Sequence, residues 1–309
     1  MSALNQPHFQ DAAKAREWLE ALLWPNGAIC PHCGTVGGHY TLQGKGHRPG
    51  LWMCKDCREQ FTVTVGTVFE RSKVKLNIWL QAVYLLCSSK KGMSSHQLHR
   101  TIGVTYKTAW FMSHRIREAF RNGSPGPLGG GGSIVEADET FYGRIKGRNP
   151  KPGGDSAHKI LSLVSRTGET RSFHIANVTA KTITPILRGN IAQDTKLFTD
   201  SAGHYRRLPK GTFKKHGMVN HKQKEYARGE VHSNTAEGYF GLLKRGLYGT
   251  YQHVSEAHLQ RYVDEFDFRF TNRVSQGVND AERTDAALRQ ITGKRLTYRR
   301  VSARSQDQA

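Results

Sequence analysis

Acidic side chains are scarce in this 309-residue chain: 25 Asp and Glu stand against 46 Lys and Arg, giving a formal charge of +21 and a pI near 10.0. That imbalance exceeds what solubility requires, and the simplest partner for it is a polyanion. Long apolar runs are missing too. The most apolar stretch, IWLQAVYLLC at 78–87, is too short to cross a bilayer and contains a glutamine. The N-terminus, MSALNQPHFQDAAKAREWLEALLW, lacks the charged start, apolar stretch and small-residue cleavage site of a secretory leader, so a cytosolic protein is expected. No repeat of solenoid period is present.

Cysteine is sparse but patterned. Of five, Cys30, Cys33, Cys54 and Cys57 form two CxxC pairs, and Cys87 stands alone in a helical apolar stripe, which predicts a small core residue. In a reducing compartment the paired set points to metal rather than disulfides. Two CxxC knuckles supply four thiolates and close a tetrahedral site with no open position, so one structural Zn²⁺ is expected. The turn residues Pro31 and Gly34 fit a zinc ribbon at 26–70, with His32, His39 and His47 as loop residues. A helix with the stripe Ala15, Trp18, Leu19 and Leu22 precedes it, in a segment 1–25.

From Leu76 the apolar period is helical: Leu76, Trp79, Leu80, Val83, Tyr84 and Cys87. A second helix with Leu98 and Ile102, then Gly103, then TYKTAWFMSHRIREAF, predict a helix-turn-helix region over 71–121, an ordinary helical bundle being the alternative. Lys107 and Arg115 on the last helix are the expected DNA contacts. The stretch NGSPGPLGGGGS, 122–133, predicts a flexible linker.

Beyond the linker, SIVEADETF, KILSLVSR and RSFHIANV read as three strands, followed by a helix at 182–192, the strand-like TKLFTD, a basic loop and several helices. That order describes a mixed sheet covered by helices, an α/β core over 134–275, with a last helix and basic tail at 276–309. Asp138 and Asp200 each end an apolar strand-like run, where strand ends face a cleft. If their strands are parallel neighbours the carboxylates come close, and close carboxylates repel unless a hard cation such as Mg²⁺ lies between them. Glu237, in HSNTAEGYFGLLKRG, supplies a third oxygen ligand. Lys244, seven residues on, shares its helix face roughly 10 Å along the axis, placed to meet a phosphate. Glu136 and Glu139 flank Asp138 and are expected to face away from it in solvated or structural roles, while Asn234 is expected to cap the Glu237 helix. His204, Tyr205 and His232 are weaker candidates for substrate contact. Arg144, Lys146, Lys214, Lys215, Lys222 and Arg245 are expected phosphate contacts flanking the cleft.

The motifs VEADETFYG, LFTDSAGHY and HSNTAEGYFGLLKRGLYGTYQHVSEAHLQRYVDEFDFRFTNR resemble the DDE-type insertion-sequence transposases of the zinc-ribbon, ISXO-like group. The resemblance implies an RNase H-like, retroviral-integrase-like core with one Asp on the first strand, one after the fourth and a Glu on a later helix. Asp138, Asp200 and Glu237 take those places, with Lys244 as the basic residue after the acid. It further implies two Mg²⁺ (or Mn²⁺) ions, hydrolysis at the element's terminal inverted repeats, strand transfer into target DNA, a homodimer or larger multimer on DNA, and a bacterial, nucleoid-associated protein. Rival readings are a DNA-binding regulator with a scaffold core and a nuclease that cleaves without joining.

Overall fold

A computed structural model describes residues 3–121, 126–147 and 157–297, except the side chain of Lys222. The chain divides into two compact units. One comprises the chain up to Ser88, Ser95–Ala119 and the chain from Thr284 onward; the other comprises Ser89–Ser94 and Phe120–Arg283.

The first unit starts with the short α1 (Pro7–Gln10) and α2 (Ala12–Leu23). Asp11 caps α2, its Oδ1 accepting from the Ala13 and Lys14 N–H groups at 2.9 and 2.8 Å. Ala15, Leu19 and Leu22 of the expected stripe are buried. An antiparallel three-stranded sheet follows: β1 (His39–Thr41), β2 (Trp52–Cys54) and β3 (Gln60–Phe61). Phe61 is buried between Trp24 and Trp52, an aromatic core for a domain too small to build a larger one.

Three helices succeed the ribbon: α3 (Leu76–Ser88), α4 (Ser95–Ile102) and α5 (Tyr106–Phe120). Gly103 ends α4 with φ +70°, a left-handed conformation that glycine adopts without penalty, and Thr105 receives the Thr108 N–H at the start of α5. Helix, three-residue turn and helix therefore occur as the sequence predicts. Cys87 is a buried core residue.

The second unit contains the sheet that positions the acids. Its strands are β4 (Ile134–Tyr142), β5 (His158–Ser165), β6 (Thr170–Ile175), β7 (Lys196–Asp200) and β8 (Lys215–Val219), in the order β6-β5-β4-β7-β8. The first three pair antiparallel; β7 is parallel to β4, and β8 to β7. This 3-2-1-4-5 order with two parallel additions is the RNase H-like arrangement. One face packs on α6 (Ala180–Asn190) and α7 (Gly203–Arg206) through Val135, Ala137, Leu161, Leu187 and Tyr205. A small ribbon, β9 (Ala227–Arg228) with β10 (Val231–His232), leads into α8 (Asn234–Gly246) and α9 (Glu256–Thr271), which cover the other face through Tyr142, Ile160, Tyr239, Leu243, Val263 and Phe266. Last comes α10 (Asp280–Arg289).

Three features differ from expectation. The strand β8 lies in what reads as a basic loop, because the lysines and Gly217 hide its apolar pattern. Gly217 is required there: a Cβ would lie 2.8 Å from Phe198 and 2.9 Å from Val231.

The glycine-rich stretch is no free linker over 126–133; residues 122–125 lie outside the described ones. Leu128 is buried and pairs with Ile191, its N–H donating to the Asn190 carbonyl at 2.7 Å. Gly130 and Gly131 N–H groups donate to Thr195 Oγ1 (2.9 Å) and Asp194 Oδ2 (2.6 Å). Glycine is selected here by close approach. Gly129 has φ +83°, and a Cβ on it would lie 2.3 Å from Thr195 Oγ1. Gly129→Ala is expected to cost about 2 kcal/mol or more in urea unfolding, where a true linker would tolerate it freely.

The chain after Thr284 returns to the N-terminal unit. Ala287, Leu288 and Ile291 are buried, Arg289 donates to the Leu22 carbonyl at 3.0 Å, and the Gly293 N–H to Gly66 O at 2.8 Å. The expected basic tail from 298 lies outside the described residues.

Candidate metal centres and the acidic cleft

The four ribbon cysteines converge. Their sulfurs all lie within 4.8 Å of one another, with Cys30 to Cys57 and Cys33 to Cys54 both at 3.7 Å. Tetrahedral thiolates about 2.3 Å from a zinc ion sit ~3.8 Å apart, so the set fits Zn²⁺ as it stands. His39 is not a ligand; its Nε2 meets the Thr35 carbonyl at 3.0 Å. Each knuckle turns through a left-handed residue right after its second cysteine: Gly34 at φ +79° and Arg58 at φ +60°. Arginine bears the Cβ penalty that glycine avoids. Arg58→Gly is therefore expected to stabilise the zinc-loaded protein by roughly 0.5–1 kcal/mol, readable as a raised Tm.

Asp138 sits mid-strand on β4, and Asp200 ends β7, the parallel neighbour, where Ala137 pairs with Thr199. The strand pairing thus brings the two aspartates to one end of the sheet. Glu237 lies in the first turn of α8, half exposed, near His221 Nε2 (3.7 Å) and Ser233 Oγ (3.5 Å). Asp138 Oδ1 accepts from the Glu139 N–H at 2.8 Å, and Asp200 Oδ1 from the Ala202 N–H at 2.9 Å. Burial pushes the Asp138 carboxyl up to about 7; the charge of Glu139 adds to this, then those of Asp200 and Glu237. Among the described residues, the trio is not one of the groups whose ligand atoms all fall within 4.8 Å. The three carboxylates are electrostatically coupled across a space wider than one ion's shell. Their donors are hard carboxylate oxygens on one face of the sheet, a donor set that fits a hard divalent metal. Lys244 and Arg245 are exposed in the last turn of α8, in the same continuous helix as Glu237.

The flanking glutamates correct the sequence reading. Glu136 does not face away from Asp138: two residues apart in a strand means one face, and that face is covered by α8. Fully buried, Glu136 accepts from the Thr235 N–H (2.8 Å), the Ala236 N–H (3.0 Å) and the Thr235 hydroxyl (3.0 Å), and it pairs with Arg166 Nε at 2.8 Å. A carboxylate on β4 thereby caps the helix that carries Glu237, with the favourable sign for a helix N-terminus. Asn234, the expected cap, is exposed within the helix, and Ser233 at the N-cap makes no side-chain cap bond. His232 joins this cluster, its Nδ1 accepting from Arg166 at 3.0 Å, which assigns it a structural place.

Glu139 does point to the opposite face. There it accepts from the Tyr205 hydroxyl and meets His204 Nε2 at 3.1 Å, tying β4 to the turn after Asp200. Burial opposes charge on His204, but Glu139 outweighs it and raises the imidazole's pKa. The signal for both glutamates was strand parity together with a chain short of acids, each of which must find a partner.

The expected DNA contacts divide. Arg144, Lys146, Lys214 and Lys215 are exposed around the core, and Lys107 in the first turn of α5. Lys215 and Lys196 both pair with Glu230, at 2.9 and 3.0 Å, and they hold its carboxyl down to about 2. Lys222 falls outside the described side chains. Arg115 is overturned as a DNA contact: it is buried, donates to the Glu70 carbonyl at 2.7 Å and lies over the Trp79 and Phe111 rings. Most of α5 after its first turns is buried, leaving Tyr106 and Lys107 as its exposed end.

Residues 127–271 match the ISXO2-like transposase domain, and residues 10–60 the transposase zinc-ribbon domain. A curated Halobacterium salinarum protein, described as an uncharacterized protein in transposable element ISH50, is 28% identical over 284 residues, covering 84% of this chain and 91% of the relative. Among solved structures, a pre-cleavage Mos1 transpososome aligns with 68% of this chain and 76% of its own at 14% identity and a TM-score of 0.27. The Mos1 strand transfer complex aligns with 65% and 78% at 13% identity and a TM-score of 0.22. The zinc-ribbon and sheet architecture, with these domain matches, defines a DDE-type DNA transposase. More narrowly, the chain belongs to the ISXO2-like insertion-sequence transposases that carry an N-terminal transposase zinc ribbon. No described helix is long and apolar enough to cross a membrane.

Proposed function

We propose that the protein cleaves phosphodiester bonds at the ends of its element and joins the freed 3′ ends to target DNA, using Asp138, Asp200 and Glu237 as ligands for two Mg²⁺ or Mn²⁺ ions. The observation that carries this reading is the parallel pairing of β4 with β7, which sets Asp138 next to Asp200 on the sheet face that α8 covers with Glu237 in its first turn; burial, and after it the charges of Glu139, Asp200 and Glu237, raise the Asp138 carboxyl accordingly. Bound metal supplies charge stabilisation at the attacking and leaving oxygens. The chain's own residues do the rest. The parallel pairing of β4 and β7 fixes two carboxylates, and Glu136 fixes the helix bearing the third. Lys244 is placed on the Glu237 helix to hold a phosphate of bound DNA, with Arg245, Arg144, Lys146, Lys214, Lys215 and Lys107 extending the basic surface.

In the first step a water oxygen bonds to phosphorus and the element's 3′ oxygen leaves as a hydroxyl. In the second, that 3′ oxygen bonds to a target phosphorus and the target's own 3′ oxygen leaves. No protein nucleophile is needed. The ribbon and the α4–α5 region serve recognition of the terminal inverted repeats, and the protein acts in the cytoplasm, on the nucleoid, as a dimer or larger multimer that bridges two ends.

Incubating the full chain with labelled element-end duplex, a target plasmid and Mg²⁺ tests this reading. Joined products alongside nicked ones are expected. Nicks without joined products would leave a nuclease, and neither product a DNA-binding regulator.

A further inference from the structure

Away from the acidic cleft, two histidines and a glutamate meet in the core unit. His158 opens β5, His174 is the penultimate residue of β6, and Glu256 opens α9. Ile160 pairs with His174 across the antiparallel strands, so His158, two residues before Ile160, projects from the same sheet face. That face is the one α9 covers. Gln260, one turn into α9, accepts from the His174 N–H at 2.7 Å and donates to the Ser172 carbonyl at 2.9 Å, which pins the start of α9 against β6.

One ring nitrogen of each histidine and one carboxylate oxygen of Glu256 all lie within 4.8 Å of one another. The imidazole centroids are 5.4 Å apart with planes at 70°, edge to face rather than stacked. His158 is only 7% exposed, and its Nδ1 has no hydrogen-bond partner. An unsatisfied buried ring nitrogen costs about 1–3 kcal/mol, so a site that keeps one beside a second imidazole and a carboxylate is built for a ligand.

We propose that His158, His174 and Glu256 form a second transition-metal site, of the zinc class, which clamps the edge strand β6 and the start of β5 to the first turn of α9. Two nitrogens and one oxygen suit Zn²⁺ or a neighbouring late first-row divalent ion and disfavour Mg²⁺, which prefers all-oxygen surroundings. Three protein ligands leave a fourth position for water. The site is chemically distinct from the thiolate cluster and from the acidic trio, so the three can be told apart in one protein.

The test uses the full chain, stripped of metal and reloaded with Co²⁺ or Zn²⁺. Wild type is expected to take up two zinc ions per chain. With cobalt, the ribbon site gives an intense thiolate charge-transfer band and the second equivalent only weak visible bands. Glu256→Gln, at an exposed position that cannot disturb the core, and His174→Ala are each expected to lose the second equivalent, keep the thiolate band, and abolish the part of the zinc-dependent rise in Tm that belongs to it. Asp138→Asn should retain both equivalents. A single zinc per chain in wild type would overturn the proposal, as would a second equivalent that survives both Glu256→Gln and His174→Ala, or one that disappears in Asp138→Asn.

Discussion

Asp138→Asn is expected to abolish cleavage of element-end DNA, by at least about 10³-fold, while making the metal-free protein more stable at pH 8. The loss of activity is expected from removing a carboxylate proposed to hold metal, a contribution worth several kcal/mol to the transition state. The gain in stability follows from proton linkage. In the fold, burial pushes this carboxyl up to about 7 from an ordinary 3.8. Between those values the folded protein holds a proton that the unfolded chain has released, so stability declines as pH rises through the window. By pH 8 the ionised, buried Asp138 costs on the order of 2–4 kcal/mol, and an uncharged asparagine relieves it. Thermal unfolding in EDTA from pH 5 to 8 should show the variant's advantage growing with pH. Mg²⁺ should raise the Tm of wild type and leave that of the variant nearly unmoved. A variant advantage that does not change with pH would contradict the assignment of Asp138 as the strained member of the trio.

Glu136→Ala is expected to lower stability by roughly 3–5 kcal/mol and to cripple cleavage, although Glu136 touches no substrate. Removing the buried carboxylate takes away the charge partner of Arg166, which keeps only its bonds to Glu230 and His232, and leaves the Thr235 and Ala236 N–H groups without their acceptor. With its cap gone, the first turn of α8, which carries Glu237, is expected to loosen. Glu136→Gln, which retains an acceptor oxygen for the helix, should recover part of the stability. Because Glu136 acts by positioning, the dissociation constant for element-end DNA should change little in Glu136→Gln while the rate of cleavage falls. Equal stability of Glu136→Ala and wild type in urea would show that the capping bonds contribute nothing.

Local chemistry made parts of this architecture readable in the chain. A zinc knuckle is written in four consecutive residues, so Cys30, Cys33, Cys54 and Cys57 could be grouped with no knowledge of the fold, and they do converge. The apolar stripes of α2 and α3 were likewise visible, since helical burial repeats over neighbouring residues. The order of the five core strands was not. It depends on which strands pair across long separations, and no spacing encodes that; the resemblance of the catalytic motifs supplied it.

The glycines at 129–131 look like a hinge to any composition rule. Their tight approach to Thr195 and Asp194 depends on residues more than sixty positions away. Arg115 fails as a DNA contact for a similar reason, because the Glu70 carbonyl that holds it belongs to a distant segment. Glu136 was within reach of the sequence. Period two puts it on the face of Asp138, and a buried acid on that face needs donors, which the start of a helix offers.

Asp138, Asp200 and Glu237 are expected to surround the same divalent cations, and metal-directed cleavage of the polypeptide tests that most directly. With Fe²⁺ in place of Mg²⁺, ascorbate and peroxide generate radicals that cut the backbone next to the bound ion. Cuts are predicted beside residues 138, 200 and 237 together, all suppressed by excess Mg²⁺. Cuts near one of the three that leave the other two segments intact, or cuts that Mg²⁺ does not compete away, would contradict a shared metal centre.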